Sequence, residues 1–220
     1  MLDVLRLEHQ LQFLVELDRL KEVYRKSYVL GTNRLENAAE HSWHVSLAAL
    51  LLSEYARESV EVEHVLHLLL VHDIVEIDAG DTPVYDLEGR RSQSARESVA
   101  AERLFGLLPA DQSACYRAWW EEFEAQQTPA AQFAKAVDRL IPLLENYHAQ
   151  GKGWRAMHIT REQVLAVNQP PMMAGAPQLW TYVQGLIEDA GVRGFLPSRE
   201  ELTRTEEVET SPERPLDGHT

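Results

Sequence analysis

The stretch that decides the fold runs from His64 to Asp81, HVLHLLLVHDIVEIDAGD. Val65, Leu68, Leu69 and Ile74 mark out a helix, and an ionisable pair, His72-Asp73, is set into its apolar run. A carboxylate left unpaired in such surroundings costs several kcal/mol, and a neighbouring cation removes that cost. A helix end at which Asp73 meets solvent and His72 packs would account for the two residues equally well. The residues that follow add to the pair. Glu76 lies four positions after His72 on the same helix face, and Asp78 and Asp81 follow in the turn IDAGDTP. Carboxylates crowded around one imidazole raise one another's pKa unless a metal ion or a proton neutralises them, and general acids and bases are tuned in such surroundings.

Outward from this stretch the same periodicity continues. Leu7, Leu11, Leu14 and Leu17 precede it, Val45, Ala48, Leu51 and Tyr55 lie between, and no segment alternates with period two. The chain reads as all-α, with room for at most a stray strand pair. Breakers at Gly31 to Asn33, Gly80 to Gly89, Pro109, Thr128-Pro129, Gly151 to Gly153, Gln169-Pro170-Pro171 and Gly191 to Pro197 predict seven helices near 3-27, 38-58, 61-78, 92-107, 110-126, 129-149 and 175-190, with a short turn near 160-167. One helical domain fills residues 1-197. The remainder, 198-220, has few apolar residues and excess negative charge, which predicts a disordered acidic tail.

Composition narrows the function classes. The 220 residues carry 35 Asp and Glu against 21 Lys and Arg, a formal charge of -14 that disfavours a nucleic-acid polymer as partner. The single Cys115 excludes internal disulfides and thiolate cages and suits a reducing, cytoplasmic setting. The longest apolar stretch, Val45 to Leu52, is far short of the ~20 residues of a membrane span, and Asp3, Arg6 and Glu8 interrupt any leader.

Two further segments carry chemistry. ENAAEHSWHV places His41 and His44 one turn apart, and QFAKAVDRLIPLLENY sets a lone Asp138 among Ala136, Val137, Leu140 and Ile141. Pro142, four positions after Asp138, leaves the Asp138 carbonyl without its helical donor. His64 and His67, and the tryptophans Trp119, Trp120 and Trp180, read as packing residues.

Taken in order, Glu40-His41, His72-Asp73-Ile74-Val75-Glu76, Gly80-Asp81 and Val137-Asp138 resemble the motifs of the HD-domain superfamily of metal-dependent phosphohydrolases, closest to its branch of bacterial five-prime-nucleotidases and HD-domain-containing-protein-2. The resemblance covers roughly residues 5-150. It implies a helical HD-domain bundle in which His41, His72, Asp73 and Asp138 ligate one divalent ion. Two imidazoles and two carboxylates suit Mn²⁺ or Co²⁺, with Mg²⁺ or Zn²⁺ as alternatives. Dinuclear members need further histidines between the H-D pair and the late Asp, and residues 74 to 137 contain none, which implies a mononuclear site. Glu76 is then expected to orient or deprotonate the attacking water and Asp81 to act on the leaving group, or the reverse.

The phosphate needs local positive charge, for which Arg25, Lys26 and Arg34 are the candidates. In the nucleotidase branch an arginine and a nearby tryptophan contact the substrate, and Arg25 with Tyr28 is the counterpart, although an ungapped register from His41 places those positions on Lys26 and Ser27. The expected activity is release of orthophosphate from a nucleoside or deoxynucleoside monophosphate by a homodimer. The alternatives are a nucleotide pyrophosphohydrolase and a catalytically silent nucleotide sensor.

Overall fold

A computed structural model of the chain describes residues 2-210. It opens with helix α1, Val4–Leu17, capped by Asp3, whose carboxylate accepts from the Arg6 amide. The expected first helix over 3-27 stops there. A 3-10 segment, Asp18–Glu22, leads into strand β1, Tyr24–Tyr28, which pairs antiparallel with β2, Leu35–Asn37. The turn between them is closed by the Val29 amide on the Arg34 carbonyl, and Gly31 takes the left-handed backbone (φ +74°) that the reversal requires. Pairing across this hairpin supplies partners to backbone groups that a helix would otherwise have satisfied.

Helix α2, Ala38–Leu52, starts directly from β2 through a capping box in which Asn37 and Glu40 exchange side-chain and backbone hydrogen bonds. The expected 61-78 helix is two pieces, α3, Val62–Val71, and α4, Glu76–Ala79. Between them Ile74, Glu76 and Ile77 donate three residues back, to Val71, Asp73 and Ile74, so the helix tightens at the His72-Asp73 pair. There follow α5, Leu87–Phe105, α6, Ala110–Ala125, and α7, Pro129–His148, the last capped by Thr128 with proline at its first position.

The C-terminal part departs most from the expected elements. A short α8, Lys152–Ala156, was not foreseen, and the turn near 160-167 is a full helix, α9, Arg161–Gly175, which runs through Pro170-Pro171. Its Thr160–Gln163 capping box starts it, and it packs closely against α7: a Cβ on Gly175 would stand 2.0 Å from the Gln132 carbonyl oxygen. Tertiary burial here outweighs the hydrogen bonds that two prolines remove. Helix α10, Pro177–Val192, completes the domain, and Phe195 and Leu196 are its last buried residues.

Beyond them the tail expected to be disordered is helical over Arg199–Thr210 (α11). Ser198 and Glu201 cap it reciprocally, and the Arg199 amide donates to Glu162. Residues 211-220 lie outside the described residues.

Helix α7 is the axis of the molecule, packing against α2, α3, α6, α9 and α10. Val45, Leu68, Leu69, Phe133 and Val137 fill the space between α2, α3 and α7. Phe13, Val71, Leu104, Phe105 and Trp120 form a second core region toward α1, and Leu140, Trp154, Val164, Trp180 and Ile187 a third toward the C-terminal helices. Among the described residues no helix is long and apolar enough to cross a membrane.

Candidate metal centre and cavity

Three helices converge on one buried point. His41 comes from the first turn of α2, His72 and Asp73 from the tightened end of α3, and Asp138 from the middle of α7. His41 Nε2 lies 3.0 Å from Asp138 Oδ1, a contact between residues 97 positions apart in the chain. His72 Nε2 is 3.0 Å from Asp73 Oδ1 and 3.8 Å from Asp138 Oδ1. All four residues are buried, and His41 is fully so.

The donor set fits a cation. The His72 Nδ1 lies 2.7 Å from the Leu69 carbonyl oxygen, which can only accept, so Nδ1 carries a proton and Nε2 is the ring atom turned toward the carboxylates. That Nε2 is buried without a hydrogen-bond partner. Ligand atoms of His41, His72 and Asp73 all lie within 4.8 Å of one another, with Asp138 closing the group. His72, Asp73 and Asp138 therefore direct buried nitrogen and oxygen atoms at one small volume, a donor set that suits one divalent ion.

The charges follow the same logic. Burial and the neighbouring Arg25 oppose a proton on His41, but Asp138 and Glu36 outweigh them and push it up to about 9. Burial works against a charge on Asp73, yet His72 and Arg25 hold its carboxyl well below the usual range; for Asp138, Lys135 and His41 likewise prevail over burial. Glu76 and Asp81 go the other way. Burial, with Asp73 beside it, drives Glu76 well above the ordinary value, and burial raises Asp81 although Arg25 pulls it down.

These groups border a cavity of about 340 Å³. His72, Asp73, Glu76, Asp81 and Asp138 lie on its wall, and so do Arg25 and Lys26 from β1. Tyr28 and Arg34 do not. Arg34 is held on the surface by a bidentate pair with Glu40, at 2.8 and 3.0 Å, and the Tyr28 ring lies under the Lys152 ammonium at 4.0 Å. The pairing register of β1 shifts between Tyr24 and Tyr28, so Arg25, Lys26 and Ser27 all border the cavity while Tyr28 does not, which the expectation of a helix through residue 27 concealed.

Other cavity residues escaped the sequence reading. Lys135 stands 3.1 Å from Asp138, three positions earlier on α7. Arg139 lines the cavity with its Nε buried and unpartnered, and it forms no ion pair among the described residues. Arg25 is already engaged: its Nη1 donates to Asp73 at 3.0 Å. Glu97 from α5, Tyr85 from the loop before it, and Asn168 from α9 complete the far wall, where the Asn168 amide donates to the Val164 carbonyl at 2.7 Å. The signal available for Lys135 and Arg139 was their place on either side of Asp138 in AKAVDRL; for Asn168 there was none, because α9 read as a turn.

The fold and this arrangement define a class: the chain belongs to the HD-domain family, matching the family model described as "HD domain" over residues 17–180. Among solved structures it is similar to a "predicted metal-dependent phosphohydrolase" from Magnetospirillum magnetotacticum. The two are 46% identical, with a TM-score of 0.83, over 87% of this chain and 95% of that one. An HD-domain phosphohydrolase from Listeria innocua shares the fold at 20% identity and a TM-score of 0.64, over 91% of this chain and 99% of the other.

Curated relatives carry a more particular name. The chain is 31% identical to 5'-deoxynucleotidase HDDC2 of Bos taurus over 61% of its own length and 65% of that protein, so it spans just under two thirds of the relative. It is 24% identical to a 5'-deoxynucleotidase of Yersinia pestis over 73% of its length and 86% of that protein.

Proposed function

We propose that the chain is a divalent-metal-dependent phosphohydrolase that releases orthophosphate from 5'-deoxynucleoside or nucleoside monophosphates. The observation that carries this reading is the meeting of His41, His72, Asp73 and Asp138, the last three on the wall of a cavity that also holds Glu76, Asp81, Lys26 and Arg139. The names of the curated relatives point the same way.

In this reading His41, His72, Asp73 and Asp138 hold one ion, Mn²⁺ or Co²⁺ before Mg²⁺ or Zn²⁺. The ion when bound supplies Lewis acidity toward the phosphoryl group and the attacking water. The chain's own groups do the rest. Glu76, made more basic than a solvated glutamate by burial, takes a proton from the water as its oxygen attacks phosphorus. The bond from phosphorus to the 5'-oxygen breaks, and Asp81, whose proton burial helps retain, delivers it to that oxygen. Arg139, a cavity arginine without a carboxylate partner, and Lys26 receive the phosphate charge, while Arg25 acts chiefly by orienting Asp73.

We also read the assembly as a homodimer, on the strength of exposed apolar side chains that share faces of α1 (Leu7, Leu11, Leu14) and α2 (Trp43, Leu47, Leu50, Leu51). A cytoplasmic setting accords with the free Cys115.

The test is a screen of nucleoside monophosphates on chelated protein and on protein given back Mn²⁺ or Co²⁺. Metal-dependent release of orthophosphate with free nucleoside is expected. Full activity after chelation overturns the mechanism, pyrophosphate as the released group overturns the substrate class, and thermal stabilisation by nucleotide without any release identifies a sensor instead.

A further inference from the structure

Next to His41 a second group of ligand atoms converges. Glu36 is the middle residue of β2, His44 follows His41 by one turn of α2, and Glu145 follows Asp138 by two turns of α7. The helices that bring His41 to Asp138 thus also bring His44 to Glu145, whose Nδ1 and Oε1 stand 3.7 Å apart. Ligand atoms of Glu36, His44 and Glu145 all lie within 4.8 Å of one another. None of the three borders the cavity.

The two carboxylates are the anomaly. Glu36 is 3% exposed and Glu145 5%, and the Oε2 of each is buried with no hydrogen-bond partner. Two facing carboxylates withdrawn from water with unsatisfied oxygens need a positive partner. The nearby cations, Arg25 and His41, both face Glu36 and leave Glu145 unmet. Arg25 Nε is 3.8 Å from Glu36 Oε2, and its Nη1 is engaged by Asp73 at 3.0 Å. His41 Nδ1 is 3.5 Å from the same Glu36 oxygen and is itself without a hydrogen-bond partner. His44 is half-exposed, which leaves a path for an ion and for water to fill its remaining coordination positions.

We propose that Glu36, His44 and Glu145 form a second divalent-cation site, distinct from the cavity centre, taking Mn²⁺, Co²⁺ or Zn²⁺ through two carboxylate oxygens and one imidazole nitrogen. An ion there ties β2, α2 and α7 together and fixes Glu36 beside His41 Nδ1, so it acts on the cavity only through the position of His41.

The experiment uses the full chain loaded with Mn²⁺ alone, dialysed, and measured for metal by elemental analysis, with the melting temperature recorded beside it. Two ions per chain are expected in the parent, one in Glu145→Gln and one in His44→Ala, each variant melting lower than the parent in Mn²⁺ and closer to it in chelator. His44→Ala keeps the test alive if the buried Glu145 substitution fails to fold. One ion in the parent, or two that survive both substitutions, overturns the site, and the carboxyls then share a proton. An active enzyme with one ion removes this site and leaves the phosphohydrolase reading intact. An inactive protein that loses one of two ions in both variants does the opposite.

Discussion

Asp138 is the residue on which the cavity turns, since His41 at 3.0 Å, Lys135 at 3.1 Å and His72 at 3.8 Å all face its carboxylate. Asp138→Ala removes an anionic ligand and should weaken binding of the cavity ion by about 10-fold or more, the scale seen even for groups one step removed from a metal. Elemental analysis after dialysis checks this, and full retention of that ion would remove Asp138 from the ligand set. Glu76→Gln should keep its metal and lose roughly 10² to 10⁴ in kcat, because only a proton-handling group has gone. A fully active variant would end that role for Glu76. Arg139 predicts a different signature. A charge-assisted hydrogen bond to phosphate is worth about 1.5–3 kcal/mol, so Arg139→Ala should raise KM about tenfold or more with a smaller change in kcat. An unchanged KM would show that its unpartnered guanidinium faces no substrate.

At the scale of elements, the start of α2 and the inner face of α5 each make a measurable statement. The Asn37–Glu40 capping box fixes where α2 begins and so where His41 stands, one residue past Glu40. Asn37→Ala should lower stability by about 1 kcal/mol in urea unfolding, the usual worth of such a cap. No loss would mean that the hairpin alone fixes the helix start. On α5, burial raises the Glu97 carboxyl above its ordinary value, against a lowering hydrogen bond from Gln93. An acid with a raised folded-state pKa stabilises fully below its unfolded pKa, and that contribution is lost as pH rises through the folded value. Glu97→Gln should therefore melt higher than the parent at neutral pH, with the gap closing in acid. A gap that persists in acid would point to packing rather than charge.

For the whole molecule, the exposed leucines of α1 and the exposed Trp43, Leu47, Leu50 and Leu51 of α2 predict association. Light scattering at micromolar concentration should give twice the 25.1 kDa chain mass, and the monomer mass would remove the homodimer reading. Deleting residues 198-220 should leave assembly and activity unchanged, because the last buried side chains before that point are Phe195 and Leu196. A loss of either would give α11 a role that its own capping contacts do not indicate.

The sequence by itself determined the helical class and the order of the residues now found together. Three- and four-residue spacing is a local property, and His41, His72-Asp73, Glu76, Asp81 and Asp138 could be singled out because ionisable groups in apolar runs are costly wherever the chain goes. Local rules failed where long-range pairing or burial took over. The 24–37 hairpin overrode a helical pattern because β1 and β2 satisfy each other's backbone, and α9 passes through two prolines because its contact with α7 outweighs the hydrogen bonds they remove. Only the tertiary structure decided which cations face the cavity. It turned Arg25 to Asp73, tied Arg34 to Glu40 on the surface, left Arg139 unpaired, and set Glu145 against Glu36 across 109 positions of chain. The physical reason is that periodicity fixes which face of an element is buried, whereas a side chain's partner is fixed by how elements far apart in sequence are packed together.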